Sequence, residues 1–549
     1  MKSGLKEHRA YNVLVFLALI FLVLLIFIGR AFQLTVLKTS NSVDLSQMSP
    51  LIDNGSSITQ ARRGNIYDQS GQPIAIDTTS YSIYAQIKGN QGEIVSDPDY
   101  TAKKLAEILG GDRDKILAQL LQSGPQQVEF GALGRNLDQN KIQSLQAAKL
   151  QGIYFKAQAD RQYANDEFAS HLIGFSDKSD DGQTMVGKLG IEAALDQVLS
   201  GHDKQAQDLY LTLDSRLQNQ LEVLMSQIYQ TYEPKELGAY LVEIPSGKLL
   251  SASQRPSFNL NNRQGIENEW RNLMVENAYE PGSTIKILVS ALANELGVYQ
   301  PQETYKSGSI DVYDVTIHDY NVVGWGDITF DEGLARSSNV GMVELVQRIG
   351  LDRWAKALTD FGFGRPTQFG LANETEGSIK FDNPVSETMS AFGQGILTSP
   401  IQLMQAYSAI ANGGHAVKIQ YLDHSSGDYQ PQFAAKDLGQ LFTSKAAEKV
   451  LSLMVDTVEK DYGTAQAYKI DGLKIAAKTG TAQIANPEGN GYLTGPTDYY
   501  FSVISFFPAD QPKYMLYLNM KQPQNPNGKT GAQILAELFK PFVQSILVY

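Results

Sequence analysis

The chain contains no cysteine. That absence excludes disulfides, thiol nucleophiles and cysteine-ligated zinc together, and it fits an exported protein that folds without redox help. Histidine is scarce as well, six in 549 residues, and none stands in an H-x-x-x-H or paired arrangement, so no metal site is argued. Positive charge is in deficit: 46 Lys and Arg against 59 Asp and Glu leave a formal net charge of −13. A phosphate backbone needs a basic surface, so nucleic acid is not an expected partner. There are no internal repeats and no low-complexity tracts. Hydrophobic residues make up 42% and charged residues 19%, which is ordinary globular composition. The length accommodates two or three domains, each with its own core.

The exception is Val13–Ile28, an unbroken apolar run inside Ala10–Gly29. Roughly 20 apolar residues cross a bilayer as a helix. Lys2, Lys6 and Arg9 precede the run, so the N-terminus is expected in the cytoplasm and the bulk of the chain outside. A cleaved signal peptide is the alternative, but signal cores run to about 15 residues and end at small residues. Here the run leads into Gly29-Arg30-Ala31-Phe32-Gln33-Leu34 with no A-x-A pattern. An uncleaved single-pass anchor over residues 10–30 is expected, after a cytoplasmic segment 1–9 and before a juxtamembrane linker 31–50.

Beyond the linker, Ile74 and Ile76 start an alternating pattern that Tyr81, Ile83, Ala85 and Ile87 continue, as in a half-buried strand. Ala102, Leu105, Ile108 and Leu109 follow at helical spacing. This mixed α/β region runs to about residue 208, giving a first domain over 51–208 and a second over 209–549. In the second, Leu217–Tyr229 is periodic as a helix. Ala239–Ile244 and Leu249–Ser253 flank the turn Pro245-Ser246-Gly247-Lys248 as a hairpin. Leu473–Gln483, Tyr499–Phe507 and Lys513–Met520 are further strands, and a helix closes the chain over residues 532–547. Two early strands, a mostly helical insert, three late strands and a terminal helix predict an α+β domain, one antiparallel sheet covered by helices on both faces.

Three elements carry chemistry. Glu280-Pro281-Gly282-Ser283-Thr284-Ile285-Lys286 opens a buried helix, so Ser283 and Lys286 lie one turn apart on one face. A serine hydroxyl needs a base to become a nucleophile, and a neutral lysine can serve. Ser337-Ser338-Asn339 precedes the helix expected over Val340–Ile349, where Asn339 alone reads as a helix cap. Lys478-Thr479-Gly480-Thr481 lies in a strand, where a glycine removes bulk and lets a ligand approach the backbone. Each has a plain structural explanation. Their occurrence together, in the order S-x-x-K, S-x-N, K-T-G, points to one site.

That trio resembles the signature shared by penicillin-binding proteins and serine β-lactamases. Arg63-Gly64-Asn65-Ile66-Tyr67-Asp68, Phe168–Phe175, Gly190-Ile191-Glu192 and Ser390–Gly395 followed by Thr398-Ser399-Pro400 are similar to motifs of class B penicillin-binding proteins. Ala335–Met342 resembles their division-type branch, the penicillin-binding protein 2x group. Members often carry two C-terminal PASTA modules, which the chain after Thr481 leaves no room for.

The resemblance implies a transpeptidase-like domain preceded by a pedestal, the penicillin-binding-protein dimerisation-like region 51–208, and a D,D-transpeptidase that cross-links peptidoglycan stem peptides. It implies Ser283 as nucleophile, Lys286 as base, Ser337 as proton relay and Asn339 as the residue holding Lys286 and the substrate amide. It gives Lys478, Thr479, Gly480 and Thr481 to carboxylate binding, and the backbone N–H groups of Ser283 and Thr481 to the oxyanion hole. Tyr320 sits where relatives place an aromatic residue beside the nucleophile, with a core position as the equal alternative. No cofactor is implied. Expected partners are the D-Ala-D-Ala donor, an amine acceptor, β-lactams as covalent inhibitors, a polytopic membrane glycan polymerase and other division proteins. A D,D-carboxypeptidase or β-lactamase of the same fold stays open, as does a lateral-wall rather than septal role. A non-catalytic sensor is disfavoured, since about nine residues precede the apolar run, too few for a signalling module.

Overall fold

The computed structural model describes residues 63–548 apart from 91, 181–183, 202–204, 431–436 and 490, together with the backbone of 39–40 and 43–44. Before residue 60, only the antiparallel two-residue strands Thr39–Ser40 and Val43–Asp44 are described. The expected anchor over 10–30 lies outside the described residues. Among those described, no helix is long and apolar enough to cross a membrane.

From residue 63 the chain forms β1 (Ile66–Tyr67), β2 (Pro73–Gln86), α1 (Pro98–Leu109), β3 (Gln127–Glu129), β4 (Ile153–Tyr163) and β5 (Leu209–Leu211). There follow α2 (Ser215–Tyr232), β6 (Pro234–Glu243), β7 (Lys248–Arg255), α3 (Lys286–Glu295), β8 (Ser309–Val312), β9 (Val315–His318) and α4 (Asn339–Ile349). The remainder comprises α5 (Pro400–Ala411), β10 (Leu422–Ser425), α6 (Ser444–Glu459), β11 (Ala476–Gln483), β12 (Tyr499–Phe507), β13 (Tyr514–Pro523) and α7 (Gly531–Val548).

The central sheet is antiparallel with strand order β7-β6-β13-β12-β11. Its strands are apolar on both sides because both faces are covered. Leu237, Leu241, Val503 and Leu518 pack against Leu221 and Met225 of α2 and Leu538 and Phe542 of α7. Tyr240, Val242, Ile504 and Tyr517 face Ile287 and Leu288 of α3 and Leu403 and Tyr407 of α5. The α+β architecture expected from the order of strands and helices is the one found. The insert is less helical than its sequence suggested, since it also carries the β8–β9 hairpin. The strands of that hairpin are four residues each, too short for their alternation to stand out in the sequence.

The preceding domain is built on a second sheet with order β10-β5-β1-β2-β3, with β4 paired along β2. β1 and β5 run parallel, and β10, from deep within the second half of the chain, joins β5 antiparallel. Under this sheet lies an ion cluster. Arg161 Nε donates to Glu192 Oε1 at 2.7 Å, and Arg63 Nε donates to Oε2 at 2.8 Å. Arg63 also reaches Asp196 at 2.7 Å. Glu192 and both arginines are buried. Burial by itself pushes the Glu192 carboxyl up, but the two guanidiniums outweigh it and hold it below its ordinary value. The motif residues Arg63 and Glu192 are therefore two halves of one contact.

Removing one side of such a cluster leaves buried charge uncompensated. Glu192→Ala is expected to lower stability by about 3–5 kcal/mol, measured by thermal or denaturant unfolding. Because the folded-state value of Glu192 is depressed, its contribution is present above the carboxylate's unfolded value near ~4.3 and fades as pH falls through the folded one. The wild-type advantage over the alanine variant should therefore shrink on acidification. An advantage unchanged with pH would remove the ion cluster as its source.

Candidate active site

Ser283 lies in the 3-10 turn Gly282–Ile285 that feeds α3, and Lys286 is the first residue of that helix. The turn is held close to β11. Gly282 has φ +57, and a Cβ there would sit 2.9 Å from the Thr481 carbonyl oxygen. Only a glycine meets both demands without strain. Ser283 is half-buried, while the Lys286 amine is fully enclosed.

The amine has two close acceptors, the Ser337 carbonyl at 2.6 Å and Asn339 Oδ1 at 2.7 Å, with Ser337 Oγ at 3.3 Å. A neutral amine has two N–H donors, enough for the two closer of these acceptors. Lys478 Nζ donates to the same Ser337 hydroxyl at 2.8 Å and to the Thr479 carbonyl at 2.9 Å. S-x-x-K, S-x-N and K-T-G therefore meet on one hydroxyl. Burial, and then the nearby Lys478, push the Lys286 amine well below its ordinary value, with Asp319 working the other way. Burial brings Lys478 down to about 7.

Ser337 has φ +60, a left-handed conformation that costs a non-glycine residue free energy. That geometry lets its carbonyl and its hydroxyl both reach Lys286. Ser338, not Asn339, caps α4, its Oγ accepting from the Gly341 N–H at 3.1 Å. Asn339 is thereby free to turn its side chain to Lys286 and, through Nδ2, to the His318 carbonyl at 2.8 Å. Its reading as a cap does not hold.

In β11, Thr479 and Thr481 face the cleft, whereas Gly480 faces inward. A Cβ on Gly480 would meet Ser502 Oγ at 2.5 Å and the Pro281 carbonyl at 3.1 Å. The neighbouring strand and the turn that carries Ser283 thus crowd any side chain at this position. β11 is also the sheet's edge strand. Ser283, Ser337, Asn339, Thr479 and Thr481 line a single cleft of about 780 Å³. Tyr320 belongs to its wall and is 68% exposed, which removes the core alternative.

One residue of the site went unread in the sequence. Asp319 follows β9 and is buried. Its Oδ1 accepts from the N–H groups of Asn339 at 2.6 Å and Val340 at 3.1 Å and from Ser338 Oγ at 2.9 Å; its Oδ2 accepts from the Gly308 N–H at 2.9 Å. A carboxylate here satisfies orphan donors at the start of α4 and opposes the helix dipole. It pins the S-x-N turn to the β8–β9 hairpin. The aspartate two residues after an alternating Val315–Ile317 pair carried no spacing signal that could have marked it.

Residues 237–544 match the family model described as penicillin binding protein transpeptidase domain, and residues 58–226 match the penicillin-binding protein dimerisation domain. Over 522 residues the chain is 27% identical to stage V sporulation protein D of Bacillus subtilis, covering 88% of this chain and 78% of the relative. It is 27% identical over 557 residues to the peptidoglycan D,D-transpeptidase FtsI of Escherichia coli K12, covering 96% and 90%. Among solved structures, penicillin binding protein 2X of Streptococcus thermophilus superposes with a TM-score of 0.79 at 27% identity, over 89% of this chain and 79% of that one.

Loss of the Asp319 carboxylate should loosen the S-x-N turn while leaving the sheet intact. Asp319→Ala is expected to slow acylation by β-lactam by roughly 10–100-fold, since small displacements of positioned groups are costly. It should also lower stability by about 1–3 kcal/mol for the buried N–H groups left without an acceptor. Stopped-flow acylation together with calorimetry measures both. An unaffected acylation rate would show that the turn holds its position without Asp319.

Proposed function

The chain belongs to the penicillin-binding protein transpeptidase family, and on that footing we propose that Ser283 is the nucleophile, Lys286 its base, Ser337 the proton relay, and Lys478 with Thr479 and Thr481 the carboxylate grip. It is a serine-type D,D-transpeptidase of class B that acts in cell-wall synthesis. The observation that carries the assignment of roles is the single Ser337 hydroxyl shared by two buried lysines.

In the proposed reaction the Ser283 oxygen attacks the carbonyl carbon between the two terminal D-alanines, and its proton passes to the Lys286 lone pair. The C–N bond then breaks, and the Ser337 hydroxyl hands a proton to the departing D-alanine amine while Lys286 replaces it. Asn339 keeps Lys286 in place. Gly480 is given a packing role beside the turn, so contact with substrate falls to the outward-facing threonines. The Ser283 and Thr481 N–H groups would hold the oxyanion, a donor whose loss typically costs ~100–1000-fold. An amine from a second stem resolves the acyl-enzyme. A β-lactam that enters the same cleft stays attached.

A class A β-lactamase uses a glutamate to activate the hydrolytic water. Among the described residues lining the cleft there is neither an aspartate nor a glutamate. This supports the transpeptidase reading against a class A-type β-lactamase. The D,D-carboxypeptidase reading is separated by its acceptor, water in place of an amine. We assign the apolar run of residues 10–30 to a single-pass anchor with the enzyme outside the cytoplasm, 51–208 to a pedestal domain and 209–549 to the catalytic one. The similarity to division-type relatives supports a septal role, in company with a membrane glycan polymerase.

Ser283→Ala should abolish covalent labelling by a fluorescent penicillin in a protein that still unfolds cooperatively; labelling that persists would take the role from Ser283. The wild-type acyl-enzyme should survive for hours, and decay within seconds would favour a hydrolase. The acylation rate should fall as pH drops through the depressed value of Lys286, because only the neutral amine accepts the serine proton. A flat acid limb would point to another base.

A further inference from the structure

Glu280 stands three residues before the nucleophile and has no part in the roles above. Its carboxyl is mostly enclosed. Oε1 accepts from the Gly395 N–H at 2.8 Å and from the Tyr492 hydroxyl at 3.1 Å. Oε2 is buried and has no hydrogen-bond partner. Three separate segments therefore converge on one oxygen: the turn that carries Ser283, the loop following the 3-10 turn Ser390–Phe392, and the β11–β12 connection at Tyr492.

The same three segments are linked by further contacts. The Gly282 N–H donates to the Gly393 carbonyl at 3.2 Å. Gln394 Nε2 donates to Gln483 Oε1 at 3.0 Å, and both glutamines line the cleft. Tyr492 is bridged to Ala485, two residues beyond the end of β11. Glu280 thus sits behind the wall in which Gln394 and Gln483 stand, and its two hydrogen bonds run to the two chain segments that supply them.

A buried carboxylate with one bare oxygen and no cation beside it is expensive. Burial pushes the Glu280 carboxyl above its ordinary value, against the pull of the Gly395 and Tyr492 donors.

We propose that Glu280 is a positioning residue for the acylation step: through one oxygen it clamps the Gly393–Gly395 loop and the Tyr492 segment onto the Ser283 turn, fixing the cleft wall that the acyl donor meets. The inference rests on Ser283 being the nucleophile. It places Glu280 outside contact with substrate and gives it no proton to transfer.

The test compares acylation rates by a fluorescent penicillin for the full chain and for Glu280→Ala, Glu280→Gln, Tyr492→Phe and the Glu280→Ala/Tyr492→Phe pair, each with its unfolding midpoint. Glu280→Ala should acylate about 10-fold more slowly at saturating enzyme integrity, the size expected when a positioned group is released. Glu280→Gln should come within about threefold of wild type, because its amide oxygen accepts the same two bonds without a charge. Tyr492→Phe should be slowed several-fold, and the pair should be no slower than Glu280→Ala, since residues sharing one interaction are not additive. A wild-type rate for Glu280→Ala, a glutamine variant as slow as the alanine one, or multiplying effects in the pair would each overturn the proposal. If Glu280→Ala does not fold, Tyr492→Phe decides: a wild-type rate overturns it. Failure of the wild type to label at all would instead remove Ser283 from its role.

Discussion

Two ammonium-bearing side chains buried on one hydroxyl form the constraint around which the catalytic half is organised. Two charged lysines enclosed together, with no carboxylate in direct contact, would be costly. The folded chain resolves this by burial, which lowers both amines, and the lowered Lys286 is the form able to take a proton from a serine. What would be a defect in a structural core keeps an amine lone pair free of a proton here. The strained backbone at Ser337, the capping role of Ser338 and the buried Asp319 all serve to hold that arrangement.

Asp319 has two influences on it. It organises the S-x-N turn by accepting from consecutive backbone donors, and its charge favours the protonated form of Lys286. A negative group closer to Lys286 would favour the charged amine and undo the neutrality that burial supplies. Asp319 spends its hydrogen-bonding capacity on the start of α4 and on Gly308, and makes none to either lysine. Its position is a compromise between anchoring the turn and leaving the Lys286 amine neutral.

Much of this was legible in the amino-acid sequence, for identifiable reasons. The strands β12 and β13 are mostly apolar because helices cover both faces of the sheet, and buried strands announce themselves by composition. The three motifs were legible because their residue types are few and their spacing is local. Asp319 and Glu280 were not, since a lone carboxylate has no periodicity and its meaning comes from backbone donors supplied by distant segments. Gly480 was read as a concession to ligand, when the crowding comes from Ser502 on the adjacent strand and from Pro281. Asn339 looked like a cap because caps and site residues draw on the same polar alphabet, and only the position of Ser338 separates the two. The pairing of Arg63 and Arg161 with Glu192 was equally hidden, being a contact across more than a hundred residues in the case of Arg63.

The strand β5 has β1 on one side and β10 on the other, and β10 is drawn from beyond α5, well inside the catalytic half. The two halves consequently share a ladder of hydrogen bonds. Severing the chain just before β5 would strip β5 of its parallel neighbour and expose an unpaired strand edge, the kind of surface that invites association between copies. The boundary expected near residue 208 therefore falls within a shared sheet, a seam that has been stitched through.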